Sequence, residues 1–479
     1  MSSFSEKINK ETKQFKVASW GEKASILSFV FLALFFFDCS LLGGGKILAV
    51  GPLTSRMALA GLAICFSLPE IFKNFKKWIT HPINLMVIAF VLYFSFSAVR
   101  GYLANNRMDV LISDVKGFMW LVLVPVVMAV VNSKKRFETL LTVIAVGSVC
   151  QAIFVICLNW FCAIVPDGIN YVYYPVMNSS IGTISNISHI VFRIFMKSSP
   201  YMALTCGIAI YRQIKEEKVS FKYVAIFVLC AFALLLSFTR SIYGCIFVVL
   251  GSAIALIVLL HKDKLKLMLK YFCITLAVFL AFTYVQEFAF KANYMNFAIS
   301  RTFNVKIVNS PVVKFRYIVE GWLSGSGAGS GDMGELEELE QEKYLSITDE
   351  SDNIRAKTKA DLRALIAKNP IIGNGLGASA ASREDGLDEY FYLDVLARMG
   401  IIGLILYILP FAYLTFKLFL KRELFAKFTD ANGAMCGMLG FWAVSWFNPW
   451  MNAVLGIACY ALCCSVLPII KDNESKGDF

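Results

Sequence analysis

Four ionisable residues carry the clearest chemical signal in this chain: Arg193, Arg240, Arg355 and Glu389. Arg240 lies in SFTRSIYG (237–244), between two strongly apolar runs with almost no connecting loop. A charge so close to membrane depth is costly unless it snorkels, pairs or binds something. Arg193 (in VFRIFMKSSP) comes just before another apolar run, and Arg355 opens a helical pattern that continues to Lys368. Guanidinium is planar, permanently charged and bidentate toward phosphate oxygens, so three such groups on one face would suit a diphosphate. Glu389 is the candidate general base, because a carboxylate held beside that site can take a proton from an acceptor hydroxyl. Two of these residues also have a plain structural alternative: Arg240 as a snorkelling anchor at a helix end, Arg355 as a solvated helix charge.

Other constellations are weaker. The run Gly373, Gly375, Gly377 could cradle phosphate with backbone N–H groups, or could simply be the turn that follows a helix stopped by Asn369-Pro370. No strand pattern precedes it, as a dinucleotide site would require. The stretch from Asp388 to Gly400 predicts a helix feeding the next apolar run, with Glu389, Leu393 and Leu396 on one face. Asp394 and Arg398 have the spacing of a stabilising i, i+4 pair. Asp38 and Arg56 are expected to pair across a helical hairpin, while Asp114 and Lys116 face the exported side with no role assigned. Three histidines, His81, His189 and His261, show no metal-ligand spacing, so neither a metal nor another cofactor is expected. The 13 cysteines all fall in apolar runs, which argues against a disulfide framework.

The elements that must position these residues are membrane helices. The chain has 479 residues, 58% of them hydrophobic, and a mean hydropathy of +0.64, far from the balance of a soluble domain. Apolar runs near the ~20 residues that cross a bilayer recur at 25–42, 47–69, 83–99, 118–131, 137–165, 200–211, 223–238, 241–260, 269–285, 401–420, 434–447 and 453–470. The fold class expected is therefore an all-α polytopic membrane protein of about 12 spans. Two exported segments interrupt it, a smaller one at about 166–199 and a large, partly helical one at about 286–399, dividing the chain into helices 1–9 (1–285), loop, and helices 10–12 (400–479). Within the large segment the Gly/Ser linker (324–334) and the acidic run (335–342) read as solvated and are given no role.

Orientation follows from the basic residues. Lys73, Lys76 and Lys77, then Lys134, Lys135 and Arg136, then Arg212, Lys215, Lys218 and Lys222, then Lys262, Lys264, Lys266 and Lys270, then Lys421, Arg422 and Lys427 occupy alternate connections. The positive-inside rule makes that side, and both termini, cytoplasmic. The net charge of +12 is thus a topology signal suited to anionic lipid headgroups, not a nucleic-acid footprint. The charged lead of about 24 residues before a bilayer-length run does not match a cleaved secretory signal.

Three patterns in this order and layout, SFTRSIYG at 237–244, the helix from Arg355 through NPIIGNGLG at 369–377, and EYFYLDVLARMGIIGL at 389–404, resemble the O-antigen ligase and Wzy-type O-antigen polymerase superfamily. In its ligases the third pattern opens with a His-Asn pair, where this chain has Glu389-Tyr390. The resemblance therefore implies a repeat-unit polymerase at a bacterial inner membrane, with its active site facing the periplasm. By the same resemblance the reaction moves a glycan from undecaprenyl diphosphate to the non-reducing end of another lipid-linked repeat unit, without metal or nucleotide sugar. Arg193, Arg240 and Arg355 would hold the diphosphate, with Arg240 and Glu389 catalytic. Partners implied are the undecaprenyl-diphosphate-linked oligosaccharide, membrane lipid, a chain-length regulator and a flippase. The alternatives are a ligase acting on lipid A core and, from another class, a transporter or lipid-linked-oligosaccharide flippase. No repeated halves with interrupted midplane helices speak for transport.

Overall fold

The computed structural model describes residues 19–43, 49–50, 53–187, 191–290, 292–303, 352–382 and 389–476. In chain order the helices are α1 (Trp20–Leu41), α2 (Ser55–Lys73), α3 (Phe75–Ile79), α4 (Pro82–Leu103), α5 (Met108–Phe118), α6 (Leu123–Val130), α7 (Lys134–Ile164), α8 (Gly168–Asn178), α9 (Ser199–Ile214), α10 (Phe221–Leu235), α11 (Arg240–Leu260), α12 (Leu265–Phe290) and α13 (Tyr294–Phe303). They continue with α14 (352–368), α15 (Phe391–Leu420), α16 (Arg422–Lys427), α17 (Thr429–Val444), α18 (Val454–Cys464) and α19 (Val466–Lys476). The Gly/Ser linker, the acidic run and His189 lie outside the described residues.

Among the described residues nine helical segments are long and apolar enough to cross a membrane. The protein is mostly helical, multi-pass and membrane-embedded. Large apolar side chains point outward along these segments, such as Leu92, Phe247, Leu269 and Phe419, each more than half exposed, as lipid-facing positions must be. The other three expected spans correspond to α9, α10 and α17, which have only 15 or 16 residues. At 1.5 Å per residue such a helix is about 24 Å long, short of the ~30 Å hydrocarbon core.

Two expectations need correction. The chain is not all-α: Ala49–Val50 (β1) pairs with Leu53–Thr54 (β2), and Gly182–Asn186 (β3) pairs antiparallel with Phe192–Met196 (β4). Period-2 alternation in FRIFM buries Phe192, Ile194 and Met196 on one face, but five residues between longer helical patterns are too short to announce themselves. The ninth span also runs to Phe290, past the boundary expected at 285.

The centre of the bundle is the pair α9 and α17, buried almost throughout. Small residues permit the contact: a Cβ on Gly207 would lie 3.0 Å from the Gly433 carbonyl oxygen, and one on Gly433 would lie 3.0 Å from that of Gly207. In lipid, helices associate through such close packing rather than a hydrophobic drive.

The segment after α14 is wedged into the bundle. Gly400 adopts φ +65°, breaking α15 into two helical pieces. The break admits residues 370–373, with the Ile401 and Ile402 amides donating to the Pro370 and Ile371 carbonyls. Any Cβ on Gly400 would meet the Ile371 carbonyl oxygen at 2.2 Å.

Candidate functional site

The site begins at the turn between α10 and α11. Phe238 is fully buried at φ +42°, a left-handed conformation that costs a bulky residue on the order of 1–3 kcal/mol. That turn leaves Thr239 as the N-cap of α11 and Arg240 as its first residue. Strand β4 fixes the same turn, since the Ile194 amide donates to the Leu236 carbonyl at 2.9 Å. Arg193, on the opposite face of β4 from its buried neighbours, donates through Nε to the Ser237 carbonyl at 3.3 Å and through Nη2 to Thr239 Oγ1 at 3.4 Å. Arg193 thus braces the residues immediately before Arg240.

Arg240 then meets the exported segment. Its Nη2 donates to Asp352 Oδ1 in the first turn of α14. One turn on, Arg355 stands 3.7 Å from the same carboxylate and donates through Nε to Glu389 Oε2 at 2.7 Å. The result is an alternating chain Arg240–Asp352–Arg355–Glu389, each side chain about one-third exposed. The Arg240 guanidinium holds the Asp352 carboxyl below the usual range, and Arg355 and Arg301 add to the effect. Tyr390 faces the same charges, while burial raises its phenol. Three of the four predicted residues therefore converge, Arg240 from more than a hundred positions before the other two, and Arg193 supports them from behind.

Glu389 reaches the cluster differently from expectation. It is not on the helix with Leu393 and Leu396: Tyr390 is the N-cap and α15 starts at Phe391, so Glu389 lies in the approaching loop. The phosphate cradle at Gly373–Gly377 also fails. Its five amides already donate to the Asn369, Ala397, Arg398 and Ser97 carbonyls and to Asp114 Oδ2. The glycines serve close approach instead: with φ between +73° and +87°, a Cβ on Gly375 would sit 2.5 Å from Gly101 Cα. Asp114, expected to face the exported side, is buried and paired with Arg398, which also holds Asp394 at 2.8 Å as predicted. The Asp38–Arg56 pair across α1 and α2 is present and buried.

Below Arg240 an apolar cavity of about 480 Å³ opens along α11. Tyr243, Phe247, Leu250 and Ile254 line one side and Phe272 and Phe279 of α12 the other. Arg240 is one turn from Tyr243 on the same helical face, which puts the start of the helix that carries the cation one turn before the first of its residues to line the groove. Among the described residues no three His, Cys, Asp or Glu side chains gather as metal ligands would.

Sequence reasoning missed Asp352, Tyr390 and Arg301. Asp352 could have been found from its i, i+3 spacing to Arg355; Arg301 had no signal beyond its charge. No family model matches the chain, and no curated protein matches it.

Proposed function

We propose that this protein is a membrane-embedded glycosyltransferase that polymerises undecaprenyl-diphosphate-linked repeat units of a bacterial surface polysaccharide. The carrying observation is the meeting of Arg240, Arg355 and Glu389 at one partly exposed cluster. The apolar groove that starts one turn from Arg240 fits a polyprenyl chain bearing an anionic head.

In this reading the diphosphate of the donor takes the place beside Arg240 and Arg355 that Asp352 holds in the structure. The bond between the anomeric carbon and the diphosphate oxygen breaks, and the two guanidiniums stabilise the charge growing on that oxygen. The acceptor hydroxyl attacks the anomeric carbon, and Glu389 takes its proton. Arg355, bound to Oε2 of Glu389, orients that carboxylate while touching the leaving group's site. Holding two membrane-bound substrates together supplies further acceleration. The short helices α9, α10 and α17 complete a twelve-span bundle, with both termini cytoplasmic and the cluster on the periplasmic side.

The test is reconstitution of the purified protein in vesicles with a single lipid-linked repeat unit. A ladder of longer lipid-linked glycans is the expected product. Transfer only to added lipid A core would identify a ligase instead, and movement of the substrate between leaflets without any new glycosidic bond would identify a flippase.

A further inference from the structure

The basic end of the bundle holds a second cavity, of about 390 Å³, remote in sequence from the arginine cluster. It forms where α2 turns through Asn74 and α3 into α4, and it is closed by Asn132 and Ser133 after α6 and by Pro468 and Asp472 of α19. The local sequence FKNFKKWITHP (72–82) explains the position. Lysines interleaved with aromatics settle at a membrane–water boundary, and Pro82 at the first position of α4 fixes the turn. Phe72 and Phe75 are exposed to the outside of the bundle, and Phe75 stacks on Trp78.

Three polar atoms inside this corner have no protein partner. Asn84 is 2% exposed; its Nδ2 donates to the Trp78 carbonyl at 2.9 Å, but its Oδ1 accepts nothing. Both ring nitrogens of His81 are buried and unpartnered as well. Burial first, then Lys471 and Lys77, pushes the imidazole down to about 4, so at neutral pH it offers one donor and one acceptor. The lining also carries both signs of charge, with Lys77 on one hand and Glu70 and Asp472 on the other.

We propose that this cavity holds the headgroup of an ethanolamine phospholipid from the adjacent leaflet, with its phosphate against Lys77 and His81 and its ammonium against Asn84 Oδ1, Glu70 and Asp472. Two of the three unmet needs are then filled: the imidazole N–H finds a phosphate oxygen, and the orphaned amide oxygen finds an N–H donor. A choline headgroup has no N–H to give Asn84, and a glycerol headgroup brings no cation to the two carboxylates. Free phosphate would leave the apolar part of the lining, Ile71, Trp78, Met128 and Pro468, unused. A phospholipid instead lays its chains along the exposed Phe72 and Phe75. Basic pockets between helices are where lipid headgroups dock at membrane surfaces.

The protein, reconstituted in a mixture of ethanolamine, choline and glycerol phospholipids, is stripped stepwise with detergent, and the lipid retained on the intact protein is identified by mass spectrometry. Ethanolamine lipid should outlast the other two by roughly tenfold in occupancy, as charge-assisted hydrogen bonds predict. Lys77→Gln, at an exposed position, should fold normally and lower the retention of all three lipids, since each carries the phosphate; Glu70→Gln, on the ammonium side, should lose the ethanolamine preference, and Asn84→Asp, which keeps the shape and adds a carboxylate, should keep it. Equal retention of all three lipids, undiminished retention in Lys77→Gln, or an unchanged preference in Glu70→Gln would overturn the proposal. So would inorganic phosphate alone raising the unfolding temperature as much as ethanolamine lipid does.

Discussion

Asp114 and Arg398, 284 positions apart, form a buried ion pair that ties α5 to α15. Arg398 also donates to the Ala378 carbonyl at 2.9 Å and holds Asp394 at 2.8 Å, and Asp114 accepts the Gly377 amide at 3.0 Å. One guanidinium therefore serves the loop that follows α14 and the helix that follows Glu389. The cluster at Arg355 and Glu389 inherits its position from this pair.

Removing Arg398 would leave two carboxylates buried without their cation. Breaking a buried pair by deleting one partner costs about 3–5 kcal/mol, so Arg398→Met should lower the unfolding temperature in detergent sharply. Arg398→Lys should recover little, since a single ammonium cannot reach a carbonyl and two carboxylates at the guanidinium's geometry. An unchanged unfolding temperature in the Met variant would mean that the pair carries no positional weight.

The sequence made this architecture only partly legible. The long spans were readable because lipid imposes nearly continuous apolarity on 20 residues, and the Asp38–Arg56 and Asp394–Arg398 pairs because hairpin neighbours and i, i+4 spacing are local. Asp114 and Arg398 were named but not joined, because nothing local encodes a contact across 284 positions. The GNGLG run left two readings open for a physical reason: glycines that cradle phosphate and glycines that let two backbones touch look alike until hydrogen-bond partners are known. Arg240, Arg355 and Glu389 were found as types suited to the chemistry, whereas Asp352, which links them, resembled any solvated helix start.

The glycine assignment has its own test. Gly375→Ala combines φ +87° with a Cβ 2.5 Å from Gly101 Cα, and should cost at least the order of 1–3 kcal/mol of a strained backbone. Gly251→Ala is the control: nothing lies within 4 Å of its added Cβ on α11, so helix propensity predicts a gain of up to about 1 kcal/mol. Thermal unfolding of both in the same detergent checks the contrast. Equal effects would remove the close-approach explanation.

Asp352 gives a pH dependence with a definite sign. Its carboxyl is held below the ordinary aspartate value by Arg240, which is about 3.9. The contact therefore adds stability to the docked α14 above that value and loses it as pH falls through the lowered one. Spin labels on α14 and α11 should report one distance from pH 8 to pH 5 and separation only below about 4. Asp352→Asn should abolish the dependence. Separation between pH 7 and 5 would point to a different titrating group.

Topology can be read by cysteine labelling on a background lacking the native thiols. Lys215 pairs with Glu138 and Asp430 at the basic end of the bundle, so cysteines at Lys218 and Lys427 should react only after the membrane is permeabilised. A cysteine at Ser180, beside the β3–β4 hairpin, should react from outside. The reverse pattern would put the arginine cluster on the cytoplasmic side and end the polymerase proposal.

The variant that separates polymerase from ligase is Glu389→Gln. Glu389 and Arg355 are each about one-third exposed, so their pair contributes at most about 1 kcal/mol to stability, and the Gln variant should fold and insert normally. It keeps the hydrogen-bonding shape but cannot take a proton, so the rate of polymerisation should fall by roughly 10²–10⁴-fold. Cells in which it replaces the native chain should display surface lipid bearing single repeat units, because a separate ligase still transfers what it receives. Arg240→Ala should give the same phenotype and Arg240→Lys should restore little, since a point charge cannot grip a diphosphate bidentately. Loss of all repeat units, with long lipid-linked polymer accumulating, would identify the chain as the ligase. Normal polymer length in the Gln variant would remove Glu389 from proton transfer and leave charge stabilisation by the two arginines to account for the chemistry.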